Sequence, residues 1–199
     1  MPPSFDEGDR LFAPAPEVRT WIEAQLIAVD GQLHNPEHGH LALADIAFLW
    51  AAEGFDKQMR RIIGQAEQIM FRVSGWARWR QEEQMRDWFG RVPEYVITLD
   101  ASYSAECSDA DWCALVEHEL YHIGQAVDEF GAPAFTKDGL PKLRIRGHDV
   151  EEFVGVVRRY GAGSPESQVG RLVAAANAVP EMGRARIAGA CGTCHLRAA

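Results

Sequence analysis

The sequence predicts an α+β fold: a small sheet with an edge strand packed on a central helix, and several further helices around it. Three observations predict it. Residues 93–100 are rich in β-branched and aromatic side chains, the composition of a strand. The segment that follows repeats Trp112, Val116, Leu120, Ile123 and Val127 at three- and four-residue steps, the period of a helix with one apolar face. The same period recurs at 16–29 and again after residue 148. At 199 residues the chain is long enough for one domain with a substantial core.

Taken in order, residues 1–15 read as a flexible, proline-rich N-terminal arm. Residues 16–29 follow as an amphipathic helix, with Val18, Trp21, Ile22, Leu26 and Val29 towards one side. A polar connection at 31–40 carries His34, His38 and His40; it reads as a solvated loop rather than a second metal site, because no carboxylate or thiol pattern accompanies it. Residues 41–50 are strongly apolar and fit either a strand or a buried helix, which periodicity does not decide; a strand is the preferred expectation. The stretch 55–88 mixes charged and apolar residues and reads as mainly helical, interrupted near Gly75. Within it, Arg72, Arg78 and Arg80 lie near Trp76 and Trp79. These could stack on nucleic acid bases, but a half-buried amphipathic segment is the preferred reading. The strand at 93–100 gives way to a loop at 100–104. A connection at 131–146 separates the central helix from a second helix starting at or near His148. A break at 160–163 precedes a last helix, with Ser164 as cap and Pro165 in its first position.

The central helix carries the chemistry. Ser108 is suited to cap it, with Asp111 three residues on, and Gly131-Ala132-Pro133 is suited to stop it. Within it lies His118-Glu119-Leu120-Tyr121-His122, an HExxH motif. Histidines at i and i+4 share one helix face, so two imidazole nitrogens can hold one divalent ion. The intervening Glu119 can take a proton from water on that ion. Both histidines fall opposite the apolar stripe, which leaves them facing a cleft. Catalytic zinc takes three protein ligands and a water. His148, in Gly147-His148-Asp149-Val150-Glu151-Glu152-Phe153, is the candidate third ligand, with Glu151 or Glu152 as alternatives or as acceptors that orient the histidines. A transition-state donor is expected from Tyr103, Tyr121 or Tyr160.

A strand entering just before an HExxH helix resembles the arrangement of zincin peptidases, whose edge strand pairs with an extended substrate. The run YVITLDASYS…CSDADWCALVEHELYHI, followed by RGHDVEEF, resembles the phage metallopeptidase family of zincin-like proteins over roughly residues 35–160. The resemblance implies Zn2+ on His118 and His122, Glu119 as the catalytic base, and a downstream element supplying His148. The chain is more loosely similar to SprT-type proteases, which share HExxH and a later histidine at a different spacing. It is not a metzincin, since Gln125 stands where that pattern needs glycine. The expected function is therefore zinc-dependent peptide-bond hydrolysis of a protein or peptide substrate. The alternatives are an inactive, metal-stabilised binding protein and a c-type haem protein.

The haem alternative comes from Cys191-Gly192-Thr193-Cys194-His195, a CxxCH pattern. Haem attachment normally needs an exported chain. The acidic start Met1-Pro2-Pro3-Ser4-Phe5-Asp6-Glu7 is no signal peptide, so a tail or accessory metal is preferred and a cytoplasmic location is expected. The expected organisation is an arm at 1–15, a zincin-like domain at 16–185 and a CxxCH tail at 186–199. No apolar run approaches the roughly 18 residues of a membrane span. A net charge of −9 gives no general attraction to nucleic acid.

Overall fold

The computed structural model describes residues 2–5, 10–57, 59–150, 154, 157, 158 and 161–181. Strand β1 (Phe12–Pro14) leads into helix α1 (Pro16–Ile22), which continues as a π-helical turn over Glu23–Ile27. The first helix thus stops short of Val29, which is exposed. A 3-10 turn (Pro36–Leu41) precedes β2 (Ile46–Ala51), so the expected strand at 41–50 holds for its second half only. Asn35 caps the 3-10 turn and Pro36 starts it, and the turn takes Leu41 and leaves 42–45 as the connection into β2.

The region 55–88, expected to be mainly helical, is the largest correction. It forms β3 (Phe55–Lys57), β4 (Arg60–Ile62) and β5 (Gly64–Gln68) before helix α2 (Gly75–Phe89) begins. Gln, Ala and Glu in β5 favour helices in isolation, but the strand pairs along its length with β6 (Tyr95–Asp100), and that tertiary pairing decides. Its burial alternates, with Gly64 and Ala66 inside and their neighbours half-exposed, as a period of two requires. Trp76 and Trp79 on α2 are 76% and 62% exposed, so they are not the half-buried core residues expected. Instead Trp88 and Phe89, at the end of α2, pack over Ala47, Leu49 and Val96 on one sheet face.

The four-stranded sheet has the order β1-β2-β6-β5, with β2 and β6 parallel and both outer strands antiparallel. The last residues of the expected N-terminal arm are therefore paired as β1. The edge strands are β1 and β5; β6, the strand read from residues 93–100, is internal. Asp100 ends β6 and caps a short helix α3 (Ala101–Glu106), where a loop was expected. Helix α4 (Asp109–Tyr121) follows, capped by Ser108, whose hydroxyl accepts from the Asp111 amide at 3.2 Å. Leu115, Val116 and Leu120 of α4 join Trp50, Tyr95 and Ile97 in the main core on the other sheet face.

Helix α4 is shorter than its periodicity suggests. It ends at Tyr121, and the chain turns into β7 (Ile123–Gln125), which pairs antiparallel with β8 (Leu143–Ile145). Ile123 stays buried as a strand residue, whereas Val127 is exposed. His148 to Val150 are not helical; Val154, Val157 and Arg158 are. The last helix, α5 (Gln168–Asn177), is capped by Ser167 rather than Ser164, its hydroxyl accepting from the Gly170 amide at 3.0 Å. The Ser167 amide bonds back to the Ser164 carbonyl, so Ser164 and Pro165 form the preceding turn. The architecture is a mixed α+β fold of small sheets and several helices. Among the described residues, no helix is long and apolar enough to cross a membrane.

Candidate metal centre

Helix α4 sets His118 one turn before its end, and His122 is the C-cap residue. The β7–β8 hairpin then returns the chain to the same place. The Arg146 amide donates to the His122 carbonyl at 2.9 Å, and His148 follows two residues later. The aliphatic stem of Arg146 lies flat on Gly124, where a Cβ would come within 2.6 Å of Arg146 Cδ. The Arg146 guanidinium pairs at 2.5 Å with Asp149, the residue after His148.

The three rings converge. His118 Nε2 lies 3.2 Å from His122 Nε2 and 3.1 Å from His148 Nε2. Ring centroids are 5.0–5.1 Å apart for every pair. His122 Nδ1 is 2.8 Å from the Arg146 carbonyl oxygen, which can only accept. The proton therefore sits on Nδ1, and Nε2 presents its lone pair to the centre. Burial pushes the His118 imidazole down to about 4, with His122 and His148 adding to the effect. Burial also lowers His122. Both are therefore neutral near pH 7, the form that binds a metal.

This donor set fits a small divalent ion. Metal–nitrogen bonds of about 2.0–2.1 Å in a tetrahedral site put ligand nitrogens about 3.3–3.4 Å apart, close to the separations seen. Each neutral ring can offer an Nε2 lone pair, so one cation can be shared by all three. Among the described residues these three are the one such group of potential ligands, and they can hold a metal ion.

Glu119 sits beside the triad and is fully buried. Its carboxylate presses against β5 at Gly64, where a Cβ would come within 2.7 Å of Glu119 Oε1 and 2.8 Å of Leu115 Cδ1. Only glycine allows the edge strand this close to the motif helix.

The chain matches the family model described as "Putative phage metallopeptidase" over residues 19–177. It belongs to that family. Membership points to a metal-dependent peptidase acting on protein or peptide substrates. No curated protein and no solved structure matches the chain significantly.

The structure thus brings together His118, His122 and His148, with Glu119 alongside. Glu151, Glu152, Tyr160 and the Cys191, Cys194, His195 cluster lie outside the described residues. The Tyr121 hydroxyl is turned to Glu37 at 2.7 Å and to Asn35 at 2.9 Å, which occupies it away from the triad. Tyr103 packs against the main core. Burial raises the thiols of Cys107 and Cys113, with Asp111 and Asp109 respectively adding to it, so neither is a ready nucleophile. Sequence reasoning missed two contributors. The Arg146 backbone carbonyl orients His122 and leaves no trace in side-chain identity. Gly64 was readable only as a glycine in a run of mixed polar and apolar residues.

Proposed function

We propose that this member of the family is a zinc-dependent, zincin-like peptidase, with His118, His122 and His148 as zinc ligands and Glu119 as general base. The observation that carries the reading is the convergence of three imidazole Nε2 atoms, at 3.1–3.2 Å from the central one, beside a buried glutamate. Zinc, when bound, supplies a Lewis acid that acidifies water and polarises the scissile carbonyl. Glu119 takes the proton of the attacking water and returns it to the leaving amine. The Arg146 carbonyl keeps His122 in its tautomer while this happens. Strand β5 is the substrate rail: it is the sheet edge nearest Glu119, and an extended peptide can add to a strand edge by backbone hydrogen bonds.

The experiment is Glu119→Gln in the zinc-loaded chain, assayed on a quenched-fluorescent peptide library. Hydrolysis should fall by about 10²–10⁴-fold while zinc content stays at one per chain. Full activity in the variant would remove Glu119 from the mechanism. A second reading, a metal-stabilised binding protein without hydrolysis, is favoured by the complete burial of Glu119. It predicts a wild-type chain that holds zinc and cleaves nothing.

A further inference from the structure

A polar seam runs along α4 beside the histidine seam. Glu117 and Tyr121 stand at i and i+4, one residue before His118 and His122. The Asn35 side-chain amide donates to both, at 2.7 Å to Glu117 Oε1 and 2.9 Å to the Tyr121 hydroxyl. The Tyr121 hydroxyl donates onward to Glu37 Oε2 at 2.7 Å. His38, fully buried, lies over the Tyr121 ring with centroids 4.5 Å apart, its Nε2 3.4 Å from Glu117 Oε1. His40 Nε2 is 2.8 Å from the Ile123 carbonyl, and its Nδ1 is 2.9 Å from the Glu37 carbonyl. Asn35 also caps its own turn, its Oδ1 accepting from the Glu37 amide at 3.0 Å. The segment is therefore folded on itself as well as on the helix. The expectation of a solvated loop at 31–40 does not hold for these residues.

The positions it touches are the chain neighbours of the two ligands: 117 precedes His118, and 121 and 123 flank His122. His122 is also where the helix stops, its amide shared between the Glu119 carbonyl, at 3.2 Å, and the Leu120 carbonyl. The last turn of a helix has carbonyls without partners in the helix and is its weakest turn. A ligand placed there holds its position only if something outside the helix fixes it. A hydrogen-bonded network has one arrangement that satisfies it, whereas apolar contact tolerates sliding.

We propose that the 34–40 segment is a brace, in which Asn35, His38 and His40 act through Glu117, Tyr121 and Ile123 to preset the separation of His118 and His122 for one metal ion. These are positioning residues; none of them reaches the metal position. The inference rests on the metal-site reading above, and metal binding itself separates the two. The test uses the full chain with Tyr121→Phe, which keeps the ring over His38 and removes the hydroxyl. Asn35→Asp serves as the second variant; it keeps the cap acceptor and loses both amide donors.

Zinc affinity is measured by chelator competition well below the thermal midpoint, together with the visible spectrum of the Co2+-substituted chain. Each variant should bind zinc about tenfold or more weakly, with altered Co2+ bands. Unchanged affinity and unchanged bands would overturn the brace, even if the thermal midpoint fell. Unchanged metal binding with lost hydrolysis in Tyr121→Phe would also overturn it, by making Tyr121 a catalytic donor. A wild-type chain that binds no metal would overturn the brace and the peptidase reading together.

Discussion

Two groups of three histidines lie on either side of one helix end, and they are used in opposite ways. His118, His122 and His148 turn their Nε2 atoms to one point. His34, His38 and His40 do not converge: His38 is buried against Tyr121 and Glu117, and both ring nitrogens of His40 face backbone carbonyls. The difference lies in where each ring's second nitrogen goes. His122 uses Nδ1 on a carbonyl and keeps Nε2 open to the centre, whereas His40 has no nitrogen left to offer. The helical i, i+4 spacing puts two rings on one face, while a two-residue step in a 3-10 turn puts them on different sides. Converging lone pairs, rather than local histidine density, mark the centre.

The comparison breaks most sharply if the two groups are exchanged by mutation. His118→Ala should reduce bound zinc from one per chain to none, while His34→Ala should leave it at one, both read by elemental analysis after desalting. The close approach of β5 comes next. Gly64→Ala drives a Cβ to within 2.7 Å of Glu119 Oε1 and 2.8 Å of Leu115. It should cost about 1–3 kcal/mol in urea unfolding, with a parallel loss of hydrolysis.

A pH effect is smaller and has a definite sign. His118 titrates near 4 in the folded, metal-free chain and near 6.5 when unfolded. Between those values the unfolded chain binds the extra proton, so stability is complete above about 6.5 and falls as pH drops towards 4. His118→Asn should flatten that part of the midpoint-versus-pH curve. Replacing the Ser108 cap with alanine should have the least effect on the centre. It should lower stability by about 1 kcal/mol and leave zinc content unchanged, which would place the helix start energetically apart from its histidine-bearing end.

Much of the helix was legible because local chemistry governs it. Ser108 caps α4 as its sequence suggests, and Val116 and Leu120 face the core. The β-branched run at Tyr95–Asp100 is a strand. What escaped was decided by partners distant in sequence. Gln65, Ala66 and Glu67 are strand residues because β6 is beside them. Ile123 leaves the helical period because β8 takes it into a hairpin. His148 is delivered by that hairpin and not by a second helix, and the orientation of His122 depends on a backbone carbonyl at the end of the same hairpin, that of Arg146. The histidines at 38 and 40 looked like part of a loose loop because their partners, Glu117, Tyr121 and Ile123, lie about eighty residues away.

The most direct measurement is X-ray absorption at the zinc edge of the purified full chain. Three imidazole nitrogens and one oxygen at about 2.0–2.1 Å, with the His148→Ala chain losing one imidazole shell or the metal, is the predicted result. A spectrum dominated by sulfur at about 2.3 Å, or one unchanged by His148→Ala, would contradict the assignment of the centre to His118, His122 and His148.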